Sequence, residues 1–140
     1  MKSIIRPATE DDLEICEKLL NSPEFLTADG KSWTKEWLSK YLGDNCFFVS
    51  VFDKKVIGCI VGEFLKQNGA VVWLLVVDTK FRNMGIGSKL LSTFELKAKE
   101  QNRDWVVLYA TIYNEKTVRF YRKQKYSIGD KLIECLKVLN

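Results

Sequence analysis

The chain has 140 residues, 46% of them hydrophobic and 29% charged, a balance that suits one folded domain and excludes a disordered or fibrous chain. It has no histidine, which excludes Ser-His-Asp and Cys-His catalysis and any His-ligated zinc or haem centre, so Tyr, Cys, Lys, Asp, Glu or water must move protons. The net charge of +4 divides unevenly: residues 1–45 carry six Lys and Arg against nine Asp and Glu, and residues 46–140 carry sixteen against nine, so an anionic ligand suits the second part and a cationic one the first.

The N-terminus is too poor in apolar residues for a signal peptide, and no run of 18 apolar residues occurs, so a soluble cytoplasmic protein without membrane contact is expected. Residues 3–6 read as a short strand. Thr9, followed by Glu10, Asp11 and Asp12, is a good N-cap for a helix whose apolar face is Leu13, Cys16, Leu19 and Leu20. Residues 21–31 are loop-like, and residues 32–42 predict a second helix with Trp33, Trp37 and Tyr41 in one stripe. Strands are expected at 46–52, 56–65 and 70–77, the last apolar throughout and so buried on both faces. A polar loop at 78–84 leads into a helix from Gly85 to about Gln101. A buried strand at 105–112, a short helix at 114–123 and two closing strands at 126–128 and 132–139 complete the chain. The order β-α-α-β-β-β-α-β-α-β-β predicts a mixed α/β sheet of about seven strands with helices on both faces, in one domain over 1–140. Cys16, Cys46, Cys59 and Cys135 form no C-x-x-C pair and read as reduced thiols.

The stretch from Leu74 to Leu91 places a buried strand, a basic loop, Gly85 and Gly87 before a helix. Glycines bring backbone close to a ligand, and the first N–H groups of a helix make an anion site. The P-loop pattern does not fit, because no Gly lies five positions before Gly87. The dinucleotide fingerprint needs Gly where Leu90 stands. The basic residues of the second part are dispersed and carry no helix-turn-helix, zinc-finger or RNA-recognition signature, so no nucleic-acid partner is expected.

About thirty residues later come Asn114, the pair Phe120-Tyr121, and Tyr126. With Arg82-x-x-Gly85-x-Gly87 before them, these make the sequence resemble the GNAT superfamily of acyl-CoA-dependent N-acetyltransferases, and the element order matches too. Asn83 stands where the family often has Gly, Thr79 where it often has Pro, and Lys125 where it usually has Gly. Asn83 tolerates left-handed backbone, and Lys125 suits a tight turn less well.

The resemblance implies acetyl-CoA as co-substrate, with no metal. Arg82 and the backbone of Asn83, Met84, Gly85, Ile86, Gly87 and Ser88 would cradle the pyrophosphate, with Lys80, Lys89, Arg122 and Lys123 attracting phosphates. Leu75, Val76 and Val77 would receive the pantetheine arm as an added strand, a backbone N–H near Val76 or Val77 would polarise the thioester carbonyl, and Asn114 would bond the arm. Tyr121 would protonate the departing thiolate, since a phenol of pKa about 10 stays protonated at neutral pH. The acceptor would be a small-molecule or peptide primary amine, attacking directly in a ternary complex. Glu63 is the strand-borne carboxylate available as base, directly or through water. Trp33, Trp37 and Tyr41 are candidates to line the acceptor pocket, while Tyr109 and Tyr113 are candidates to orient water or substrate. Dimers are common in the resembled family. The alternative is a sensor that binds acyl-CoA without turning it over.

Overall fold

The computed structural model describes residues 2–21, 33–110 and 114–139; Tyr113, residues 111–112 and most of the loop at 21–31 lie outside them. Strand β1 (Ile4–Pro7) precedes a single 3-10 turn and helix α1 (Leu13–Leu19). The Asp12 carboxylate fastens this corner. It accepts the Thr9 N–H at 2.8 Å and takes the Arg6 guanidinium at 2.7 and 3.0 Å. Helix α2 (Lys35–Ser39) is shorter than the residues 32–42 expected. Thr34 caps it by accepting the Trp37 N–H, and left-handed Gly43 and Asn45 turn the chain away at the other end.

Strands β2 (Phe47–Phe52), β3 (Lys55–Phe64) and β4 (Gly69–Val77) form an antiparallel meander. Asp53 and Lys54, both at positive φ, make the two-residue turn between the first two. Helix α3 (Ile86–Glu100) then crosses over the sheet, so β5 (Trp105–Leu108) lies parallel to β4. Helix α4 (Glu115–Lys123) follows. The strand order is β1-β2-β3-β4-β5.

Each face of the sheet carries its own core. Leu90, Phe94 and Ala98 of α3 pack on Phe48, Ile60 and Val72. Cys16, Leu20 and Leu38 of the first two helices pack on Val49, Cys59, Val61, Leu74 and Val76. Val72 and Leu74 thus face opposite sides, although residues two apart in a strand ordinarily share one. The cause is a bulge: Val61 pairs Leu74 and Gly62 pairs Val72, leaving Trp73 as the extra residue of β4. Trp73 is therefore 40% exposed in the middle of an otherwise apolar run.

Two expectations are corrected. The sheet has five strands among the described residues, not seven: residues 126–139 take no strand. Past Tyr126 their large apolar residues are exposed, Ile133 by 88% and Leu139 by 85%, and β5 offers an edge only four residues long. An apolar run marks what a strand could bury; pairing also needs an edge to pair with. Likewise β5 is half-exposed rather than buried, with Trp105 open to solvent.

Candidate active site

The site begins where the sheet comes apart. Pairing of β4 with β5 runs only from Gly69 with Trp105 to Val72 with Leu108, and stops at the Trp73 bulge. Beyond it, Leu75 and Val77 have no β5 neighbour. Asp78 donates its N–H back to Ile57 on β3, so by alternation the backbone groups of Val77 and Leu75 face the gap, not Val76. Arg82 Nε donates to the Val77 carbonyl from that side at 3.0 Å.

The loop after β4 is held by its own backbone. The Asp78 carboxylate accepts the Lys80 N–H at 2.9 Å, and Asn83 and Gly85 are both left-handed, at φ 63° and 82°. Gly85 occupies the N-cap of α3 and offers no side chain, so the first N–H groups, at Ile86, Gly87 and Ser88, meet no cap. With the helix dipole they make a site for an anion. The space is there as well: a Cβ on Gly85 would meet nothing within 4 Å.

Helix α4 closes the other wall. The Asn114 side chain accepts the Thr117 N–H at 3.2 Å and caps the helix. Tyr121, 9% exposed, stands edge-on to Phe120 and Tyr126, with ring centres 5.0 and 5.8 Å away. Burial pushes its hydroxyl up to about 12. Two hydrogen bonds tie α4 to α3: Ser88 Oγ to Gln124 at 2.9 Å, and Tyr126 Oη to Glu95 at 2.7 Å. Lys125 makes the turn between them at φ 72°, the conformation for which the family's usual Gly is suited.

Gap, loop and helix enclose one cavity of about 910 Å³. Its wall includes Leu75, Val76, Val77, Arg82, Asn83 and Gly85, then Ile86, Gly87, Ser88, Asn114 and Tyr121, with Lys123 at the basic end. Met84, 55% exposed, is not on the wall, and neither are Lys80, Lys89 or Arg122. Lys116 is, and no motif had singled it out.

At the far end stand Trp33, Trp73 and Tyr109. Trp37 lies behind Trp33, ring centres 4.4 Å apart, and Tyr41 behind Trp37 at 4.7 Å. Glu63 is also off the wall, but its Oε1 accepts the Trp73 indole N–H at 3.1 Å. Burial, and next the Glu63 charge, push the Tyr41 hydroxyl up, which places that carboxylate beside Tyr41. Trp73 was not legible as a site residue, since only the bulge turns it outward. The buried Trp33 indole N–H has no acceptor among the described residues. Also among them, no cluster of Cys, Asp or Glu could hold a metal ion, and no helix is long and apolar enough to cross a membrane.

Known proteins resemble this chain in sequence and fold. An uncharacterised N-acetyltransferase of Methanocaldococcus jannaschii is 32% identical over 124 residues, 88% of this chain and 77% of its own. The crystal structure of Ard1 from Thermoplasma volcanium superposes with a TM-score of 0.81 at 27% identity, covering 93% of this chain and 86% of that one. The PaiA N-acetyltransferase of Thermoplasma acidophilum, solved in complex with coenzyme A, has the same fold at 21% identity, with a TM-score of 0.80 over 94% of this chain and 93% of that one. Residues 12–126 match the family described as the Acetyltransferase (GNAT) family, and this chain belongs to it as an acetyltransferase.

Proposed function

We propose that this single domain transfers the acetyl group of acetyl-CoA to a primary amine in a ternary complex. One observation carries the reading: a continuous cavity joins the uncapped N-terminus of α3 to the Tyr121 hydroxyl through the gap between β4 and β5. The uncapped N–H groups of α3 hold the pyrophosphate, with Arg82, Lys116 and Lys123 supplying positive charge. The gap accepts an extended arm against Leu75 and Val77, whose backbone faces it. Acetyl-CoA supplies an activated thioester.

The backbone N–H of Leu75 or Val77 polarises the thioester carbonyl while the neutral amine attacks it. A C–N bond forms and the C–S bond breaks. Tyr121 gives its proton to the leaving sulfur, and the amine's surplus proton passes to water. A phenol near 12 is a weak donor to a thiol whose ordinary pKa is about 8.5, but the same dry wall raises the pKa of a thiolate held against it. Glu63, off the cavity wall, takes part in proton removal only through water.

The reading is tested by titrating acetyl-CoA into the protein by calorimetry and then measuring CoA release across primary amines. Saturable binding, abolished in Gly85→Glu, is expected, because a carboxylate there occupies the phosphate position. Tyr121→Phe is expected to bind acetyl-CoA within about twofold of wild type and to lose about 100-fold in kcat. Absence of binding at millimolar acetyl-CoA would remove the reading.

A further inference from the structure

Among the described residues, no side chain or backbone group bonds the Tyr121 hydroxyl, so its place on the cavity wall is set by where α4 carries it. Helix α4 is nine residues long and Tyr121 is the residue it buries, so it has little stability of its own and needs fixing from outside. Two side-chain bonds do this, and both reach α3. Ser88 and Gln124 stand on the cavity wall, so their bond belongs to the site itself. Tyr126 and Glu95 are off the wall and touch no ligand there.

Tyr126 nevertheless grips Tyr121 in two ways. Its backbone N–H donates to the Tyr121 carbonyl at 3.0 Å, and its ring meets the Tyr121 ring edge-on. Its hydroxyl donates to Glu95 Oε2 at 2.7 Å, a length that suits a carboxylate acceptor. Lys125, left-handed at φ 72°, folds the chain back after α4 so that Tyr126 can make all three contacts. A backbone conformation that costs a side chain something is held where the surroundings fix it. Helix α3 therefore governs both ends of the cavity: its first turn meets the anion, and Glu95 further along it anchors the helix that carries the phenol. We infer that Tyr126, braced by Glu95, is a positioning residue that fixes the Tyr121 hydroxyl in line for proton delivery to the leaving sulfur. This inference rests on the acetyl-transfer reading and adds to it two residues that meet neither substrate. Small misplacements of a reacting group are costly to rate, so a contact outside the cavity can control turnover.

The test is a double-mutant cycle on kcat, using acetyl-CoA and the primary amine that wild type turns over fastest, with each variant first titrated with CoA by calorimetry. Tyr126→Phe keeps the ring and the backbone bond and deletes the hydroxyl. Its kcat should fall about tenfold, while KM for acetyl-CoA and the affinity for CoA stay within about twofold. Glu95→Ala should reproduce that split. Glu95→Gln, whose amide oxygen still accepts, should stay within about threefold of wild type. In the Tyr121→Phe background, Tyr126→Phe should change nothing further, because the phenol it positions is gone. A side chain that only supported the fold would weaken CoA binding along with turnover, and its loss would multiply that of Tyr121→Phe; either result overturns the inference. Undiminished kcat in Tyr126→Phe overturns it as well and leaves acetyl transfer standing. Wild-type kcat in Tyr121→Phe removes the acid, and the inference with it, from an active enzyme. Release of no CoA from wild type with any amine removes the acetyl-transfer reading first and the inference as a consequence.

Discussion

Two stretches of this chain depend on glycine for opposite reasons. In the middle of β3, Gly62 lies under α3, where a Cβ would overlap the Phe94 ring and approach the Val71 carbonyl oxygen to 2.5 Å. At the start of α3, Gly85 has open space around it and a left-handed backbone. The first glycine exists so that a helix can lie close on a sheet. The second exists so that a backbone can present its N–H groups to something else. One part of α3 is packed as protein interior, and its start leaves the first N–H groups uncapped.

The largest effect comes from closing the first of these. Gly62→Ala forces the fully buried Phe94 off its rotamer or lifts α3 from β3, and should cost about 3 kcal/mol, at the upper end of overpacking penalties. Urea denaturation should show the midpoint falling with little change in slope. If the variant were as stable as wild type, the sheet face under α3 would be looser than its packing implies. The surviving folded fraction should still bind acetyl-CoA, because the loop at 82–88 is untouched.

Tyr121 sits on the boundary between the two kinds of region. It belongs to the buried core cluster and also to the cavity wall. Its dryness has a consequence for stability that can be separated from catalysis. The hydroxyl ordinarily titrates at 10.0 and is pushed up to about 12 in the fold by burial. Below pH 10 it is neutral in both states, so the stabilisation is fully present. Between pH 10 and 12 the unfolded chain ionises and the native one does not, so stability falls as pH rises. Between pH 9 and 11 this single group should cost about 1 kcal/mol. Tyr126 and Cys46 are raised as well and add to the decline in both proteins. Tyr121→Phe should therefore lose about 1 kcal/mol less than wild type over that interval. Parallel pH profiles would mean that water reaches the hydroxyl in solution, and its place in the dry core would be wrong.

The same division explains what could be read from the sequence. The interior announces itself through periodicity. The runs at 46–52, 56–65 and 70–77 became β2, β3 and β4 within two residues at each end, and the Leu90, Phe94, Ala98 spacing became the buried face of α3. The loop proposed to hold the pyrophosphate could be picked out because glycine, arginine and a following helix are local in sequence, and Asn83 took the left-handed backbone its side chain tolerates. The part of the cavity wall at Trp33 and Trp73 was not legible in the same way. Trp73 reads as one more apolar residue until the mismatch between β3 and β4 turns it outward, and register is a property of two strands, not of one. Trp33 and Trp37 were visible as a helical stripe, yet only Trp33 reaches the cavity. The closing strands failed for a related reason. The residues at 132–139 are mostly apolar, but the edge a strand there would need belongs to β5, which offers four residues and leaves Trp105 exposed.

The smallest effect gives the sharpest form of the comparison, because it uses two glycines that are alike locally. Gly43, just after α2, and Gly85 have φ of 83° and 82°, and a Cβ on either would meet nothing within 4 Å. Alanine at each position therefore carries the same backbone penalty, about 1 kcal/mol for a left-handed residue, with no packing clash to add to it. Thermal denaturation should rank the two variants together, a few degrees below wild type. Calorimetry with acetyl-CoA should separate them. Gly43→Ala should bind as wild type does, since nothing near Gly43 lines the cavity. Gly85→Ala puts a methyl group where the loop presents its N–H groups and biases the loop away from the conformation that aims them, so its affinity should fall by about tenfold. Equal binding by the two variants would mean that the left-handed turn at Gly85 only starts a helix. Equal stability with unequal binding would show that a conformation with the same local cost serves the fold at one site and the ligand at the other.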